Sequence, residues 1–222
     1  MNPHERTAGD GAEVHQGLSR LGASPESDKI AAYFDAWAET YGRDLAEWSY
    51  DAPTVAAAML GQEVPTDGKV LDAGCGTGLA GKALRDAGFV HVDGMDISPA
   101  SLELARSSGA YEALQRVDMQ RLPLPYDTGA FGGLVCVGVL SYVPDTDGIM
   151  REFCRIVRPG GVVVFTQRDD IFEERRCAAV FQALETEGVW RKISVSDPRP
   201  YLPENQEFGD RIRVIYGVYR VV

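Results

Sequence analysis

Basic charge, paired cysteines and long apolar runs are all scarce in this sequence, and each shortage narrows what the chain can do. Lys and Arg number 22 against 33 Asp and Glu, for a formal charge of −11 at pH 7. A surface of that sign repels phosphate, so nucleic acid is a disfavoured partner. The four cysteines, Cys75, Cys136, Cys154 and Cys177, are scattered with no C-x-x-C pair. A thiolate metal site or a disulfide framework is therefore not expected, and a reducing cytoplasm is. No run of about 18 apolar residues occurs, so no membrane span is expected. The N-terminus has no apolar stretch of the kind a secretory signal needs. Internal repeats and low-complexity tracts are missing as well. What remains is 222 residues, 45% hydrophobic and 25% charged, which suits one α/β domain of ordinary size with some decoration.

The chain is organised around Lys69-Val70-Leu71-Asp72-Ala73-Gly74-Cys75-Gly76-Thr77-Gly78. A short apolar strand runs into an acid and then into a turn with glycine at every second position. Leu79, Ala80, Ala83, Leu84 and Ala87 follow at helical spacing, and Gly88 stands where that helix would stop. One glycine would make such a turn; three let a ligand approach bare backbone. A dinucleotide fingerprint, G-x-G-x-x-G, fails at its third position, which is Leu79, and no Gly-Lys-Ser/Thr follows for a Walker loop.

Around this unit the elements read in order. Residues 1–27 form a polar tail expected to be disordered or partly helical, with a short helix at Val14–Leu21. Ile30, Phe34, Trp37 and Tyr41 make one apolar face of a helix, with Tyr33 beside it. A second helix follows, with Asp51 as N-cap and Pro53 in its first turn. His91 to Asp96 is strand two, and an acid at its end binds ribose hydroxyls in doubly wound folds; Ser98 and Pro99 open the next helix. Strand three is Ala113–Val117, before Asp118-Met119. Strand four is Gly133–Val139, and strand five is Val162–Thr166 after an Arg158-Pro159-Gly160-Gly161 turn. One helix is expected over Ile171–Glu187, then strands at Trp190–Val195 and Arg211–Val222. Gln167, Arg168 and Asp169 lie at the carboxyl end of strand five, where ligands sit in such sheets.

The spacing D-x-G-x-G-x-G from Asp72 resembles motif I of the class I S-adenosylmethionine (SAM)-dependent methyltransferases. The segment Tyr33 to Tyr41 is similar to the aromatic text that precedes motif I in small-molecule members, where it covers the cofactor. Asp118, Leu122-Pro123-Leu124-Pro125 and Arg158-Pro159-Gly160-Gly161 extend the likeness. Tyr33 to Tyr50, A-G-C-G-T-G-L and F-x-x-L-V-C-V-G-V-L-S look like the methyltransferase-like proteins of the Williams–Beuren syndrome region. Two departures stand near the substrate mouth: Gly132 replaces a common Asp, and Ser141-Tyr142-Val143 replaces E-H-V.

The resemblance implies an α/β fold, a Rossmann-like doubly wound seven-stranded sheet with helices on both faces and an antiparallel last pair. Residues 28–222 would be one domain, with 28–62 as a helical lid. SAM would be the cofactor and S-adenosylhomocysteine (SAH) the product. The cofactor residues would be Tyr33, Tyr41, Asp72, Ala73, Gly74, Cys75, Gly76, Gly78, Leu79, Asp96, Ile97, Asp118, Met119 and Val137. Because aromatic faces favour a positive sulfur, Tyr33, Tyr41 and Tyr142 are candidates for positioning the reacting methyl. Ser141, Tyr142, Gln167 and Arg168 are the substrate candidates. The expected acceptor is a small-molecule O, N, S or C nucleophile, on a monomer or homodimer with no membrane or metal. A SAM-binding scaffold without turnover, or the same fold recruited for another reaction such as a cyclisation, stay open as alternatives. The failed third glycine yields a direct expectation. Calorimetry should show SAM and SAH binding and NAD not, and NAD binding tighter than SAM would overturn the reading of the loop.

Overall fold

The structure is a computed structural model, and it describes residues 26–209 and 211–222. The expected tail, with its helix at 14–21, lies outside the described residues apart from its last two positions. The helices are α1 (Ser27–Glu47), α2 (Ala52–Gly61), α3 (Leu79–Asp86), α4 (Pro99–Ser107), α5 (Thr146–Ile156), α6 (Asp169–Glu174) and α7 (Cys177–Thr186). The strands are β1 (Lys69–Ala73), β2 (His91–Asp96), β3 (Ala113–Arg116), β4 (Phe131–Cys136), β5 (Val157–Arg168), β6 (Trp190–Val195), β7 (Arg199–Pro200) and β8 (Arg213–Val221).

Side chains alternate across a strand, and here both faces are apolar. Val70, Val135 and Val164 pack on one face against Ala56 and Leu60 of α2 and Leu84 of α3. Leu71, Leu134 and Phe165 pack on the other against Phe153 of α5 and Phe181 of α7. A sheet covered on both faces is what βαβ crossovers produce. The strand order is β3-β2-β1-β4-β5-β8-β6. The first four pairings are parallel, while β8 runs antiparallel to β5 and β6. The order reverses between β1 and β4, and a crevice opens there at the carboxyl ends. The expected seven-stranded path is present, with the two-residue β7 added on β8.

Several boundaries differ from expectation, each for a local reason. β4 stops at Cys136 rather than Val139, because Gly138 has a φ of +75° and turns the chain away. β5 begins at Val157, pairing with Phe131 before the register shifts, so the Arg158–Gly161 turn lies inside the strand. The helix expected over Ile171–Glu187 is two helices, broken where Arg176 takes a φ of +51°. Asp51 caps α2 by position only, without a side-chain hydrogen bond.

α1 packs on the carboxyl-end side of the sheet. Trp37 and Leu45 join Leu202 and Phe208 in a small core of their own. The indole N–H of Trp37 donates to Asp44 at 2.8 Å. Gly217 of β8 is closely packed, and a Cβ there would stand 2.4 Å from Cζ of Phe165. That ring is already confined by Phe181, Trp190 and Tyr219. Gly217→Ala should therefore destabilise the fold by about 1–3 kcal/mol through overpacking; urea denaturation reads this, and unchanged stability would show that the aromatic stack yields.

Candidate active site

The glycine turn leaves β1 at Ala73 and enters α3 at Leu79. Gly74 and Gly76 have φ values of +82° and +51°, which a side chain would strain. A Cβ on Gly74 would also lie 2.3 Å from Val139, whereas one on Gly76 would meet nothing within 4 Å. The first glycine admits a neighbouring strand end, and the second borders open space. The backbone N–H groups of Gly74 and Cys75 both donate to the Met95 carbonyl, at 2.8 and 2.9 Å. Asp96 completes the link between the two strand ends. Its Oδ2 accepts from Gly76 N and its Oδ1 from Ser98 N, each at 2.8 Å. Burial raises its pKa, and the hydrogen bonds to Ser98 and Gly76 oppose the rise.

Asp72 lies beneath this turn and is fully buried. Tyr111 reaches it from the segment before β3: its hydroxyl donates to Asp72 Oδ2 at 2.7 Å and accepts from Gly81 N at 3.1 Å. The ring passes so close to Gly81 that a Cβ there would sit 2.2 Å from it. Asp72 Oδ1 has no hydrogen-bond partner. Burial pushes the Asp72 carboxyl up to about 7, and Tyr111 restrains the shift.

Above the turn is a cavity that opens to solvent. Of the residues singled out in the sequence, Gly74, Gly76, Asp96 and Ile97 line its floor. Asp118, Met119 and Val137 line one side, and Tyr41 and Tyr142 close it. Ala73, Cys75, Gly78 and Leu79 belong to the same turn but not to the lining, and Asp72 is behind it. Tyr33 packs edge-on to Phe34 and Trp37, one layer back. Lining residues that sequence reasoning missed include Ile30, Phe34, Thr77, Ser101, Gln120 and Val139. Ile30 and Phe34 were visible as part of the aromatic stripe, and Thr77 as part of the turn. Nothing in the sequence pointed to Gln120, whose amide donates to the Tyr142 carbonyl at 3.0 Å.

The substrate candidates beside Tyr142 form a bonded group outside the lining. Ser141 Oγ donates to Gln167 Oε1 at 2.8 Å, which also accepts from Arg168 N at 3.1 Å. The Arg168 guanidinium pairs with Asp170 and lies 5.2 Å from the Phe208 ring centre. Arg175 donates to the carbonyls of Leu140, Ser141 and Val143, clamping the turn that presents Tyr142. Arg175 stands just before Arg176, where the expected long helix breaks. Burial pushes the hydroxyls of Tyr41 and Tyr142 above the usual tyrosine range, so both stay protonated near neutrality.

Residues 71–165 match the family model of a methyltransferase domain. Human methyltransferase-like protein 27 is 31% identical over 187 residues, covering 82% of this chain and 76% of that protein. The chain belongs to the class I S-adenosylmethionine-dependent methyltransferases. The ubiquinone biosynthesis O-methyltransferase of Xylella fastidiosa is 30% identical over 154 residues, 68% of this methyltransferase and 61% of that enzyme. Among solved structures, a chain from the complex of the Haloferax volcanii Trm112 methyltransferase activator shares the fold. It has a TM-score of 0.62 at 21% identity, over 85% of this chain and 97% of that one. Among the described residues, no helix of this methyltransferase is long and apolar enough to cross a membrane.

Asp72 makes the stability of the methyltransferase pH-dependent. Its folded pKa, about 7, lies above the ordinary 3.8, so the folded chain holds this proton more tightly than the unfolded one. The group then costs stability as pH rises from about 4 to about 7. Asp72→Asn, which can still accept from Tyr111, should be more stable than wild type at about pH 8, by at most about 4 kcal/mol. The gain should vanish below about pH 4. Urea denaturation at both pH values reads this, and a pH-independent difference would place the carboxyl in a more polar setting.

Proposed function

We propose that this methyltransferase transfers the methyl group of SAM to a small-molecule O, N, S or C nucleophile, releasing SAH. The observation that carries this reading is convergence. The glycine turn, the acid that ends β2 and the aromatic face of α1 meet on one cavity at the point where the strand order reverses. The residues present fit the cofactor. Gly76 leaves space where a side chain would intrude, and Asp96 faces the cavity with two of its roughly four acceptor positions in use.

In this reading the turn from Ala73 to Leu79 brings bare backbone to the cofactor, and Asp96 takes the ribose hydroxyls. Asp118 and Met119 receive the adenine, with Ile97 and Val137 as apolar walls. The bound cofactor supplies a methyl on a positively charged sulfur. Phe34, Tyr41 and Tyr142 surround the reacting end, where ring faces favour positive charge and apolar edges exclude water. Tyr41 and Tyr142 orient the acceptor as neutral hydroxyl donors. Ser141, Gln167 and Arg168 hold the Tyr142 turn and shape the acceptor mouth. Alignment of this kind lowers a methyl-transfer barrier by up to about 7–11 kcal/mol.

Residues 28–222 act as one domain, with α1 as the cover; α2, the rest of the 28–62 segment expected to form the lid, packs in the sheet core through Ala56 and Leu60. The protein works as a monomer or homodimer in the cytoplasm, without nucleic acid or membrane. Turnover of labelled SAM against a panel of small metabolites tests the reaction. Tight SAH binding with no label transferred to any class of nucleophile would favour a scaffold instead. Asp96→Ala should weaken SAH binding by about 1–3 kcal/mol, the cost of unpaired ribose hydroxyls. An unchanged dissociation constant in calorimetry would remove Asp96 from the site.

A further inference from the structure

Asp35 stands on α1, next to Phe34, yet its carboxylate is engaged by α4. Its Oδ1 accepts from Ser98 Oγ at 2.6 Å and from Ala100 N at 3.1 Å. Ser98 is fully buried, and each of its polar groups is committed. Its N–H donates to Asp96 Oδ1 at 2.8 Å, its O–H donates to Asp35, and its oxygen accepts from Ser101 N at 3.0 Å. Asp96 in turn accepts from Gly76 N. An unbroken chain of hydrogen bonds thus runs from Asp35 through Ser98 and Asp96 to the glycine turn.

The rest of α1 is fastened elsewhere, by Trp37 and Leu45 packed on Leu202 and Phe208. Leu79, at the end of the glycine turn, packs on the same cluster. Asp35 supplies the polar attachment on the floor side, and a carboxylate at a helix N-terminus is favoured by the unpaired N–H groups there. Ile30, Phe34 and Tyr41 on the same helix line the cavity.

We propose that Asp35 is a positioning residue that latches α1 over the cofactor, acting through Ser98 and Asp96. This rests on reading α1 as the cover. A carboxylate that served only to cap α4 would contribute stability but would not govern how fast the cofactor leaves. With the latch in place, entry and release both require breaking the Asp35 bonds, so the residue sets how fast the cofactor exchanges.

The test follows SAH binding to the full chain by stopped-flow tryptophan fluorescence, with amide hydrogen exchange of residues 27–47 and the thermal midpoint of the free protein. Asp35→Ala should raise the SAH off-rate about tenfold, the effect of losing charge-assisted hydrogen bonds, and should raise the on-rate as well, because the same bonds hold the cover in the free chain. Exchange in α1 should quicken in the SAH complex. Ser98→Ala, which keeps the N–H to Asp96 but removes both the O–H to Asp35 and the cap bond from Ser101 N, should release SAH as fast and also lower the thermal midpoint. Asp35→Asn keeps an acceptor oxygen and should restore slow release. A wild-type off-rate in Asp35→Ala, or an Asn variant as fast as the Ala variant, would overturn the latch. If SAH gives α1 no protection in the wild-type protein, the cover and the latch fall together.

Discussion

The carboxylate of Asp96 is the constraint on which the cavity depends. One oxygen holds the turn after β1 through Gly76 N, and the other holds the turn after β2 through Ser98 N. The group is nearly buried, at 9% exposure, so its charge is tolerated only because those donors meet it. Removing either donor would leave a charged oxygen facing an apolar floor. The parallel register of β1 and β2, which sets Ala73 beside Met95, brings the two turns within reach of a single side chain.

A second acid works against the first. Asp96 adds to the upward shift at Asp72, because two carboxylates near one turn repel, and Asp35 does the same to Asp96. Tyr111 offsets part of the shift at Asp72 with one hydroxyl bond. To admit its ring, the fold uses glycine at Gly81 and again at Gly94, where a Cβ would stand 2.9 Å from the ring. Cofactor sites commonly hold such perturbed groups, and here the perturbation has a visible scaffold. The spare Asp72 oxygen marks where the packing stops satisfying polar atoms.

Much of the fold was legible in the sequence where local signals agreed. β1, β2 and α3 follow from an apolar run, a glycine turn and helical spacing, and the ends of β1 and β2 fall where the residues change character. The 3.6-residue spacing of Ile30, Phe34, Trp37 and Tyr41 fixed a helix face but could not divide it. Trp37 turns into its own small core, while Phe34 and Tyr41 face the cavity. What stayed hidden depends on contacts between distant segments. Beside the break at Arg176, the Arg175 guanidinium reaches three carbonyls more than thirty residues earlier. The roles of Asp35 and Tyr111 arise from partners 63 and 39 residues away. No periodicity carries that information, since it is set by how the elements pack.

The cluster of Trp37, Leu45, Leu202 and Phe208 is separate from the two sheet cores. It is still joined to one of them, because Tyr50 and Tyr201 pack both on this cluster and on the core that holds β1 and β4. Substitutions at sites that share partners do not simply add. A change at Tyr201 is therefore felt in the sheet as well as in the roof, and a change on α1 reaches the glycine turn through Asp35 and Ser98. Reshaping the mouth of this cavity and loosening its grip on what lies inside are coupled events.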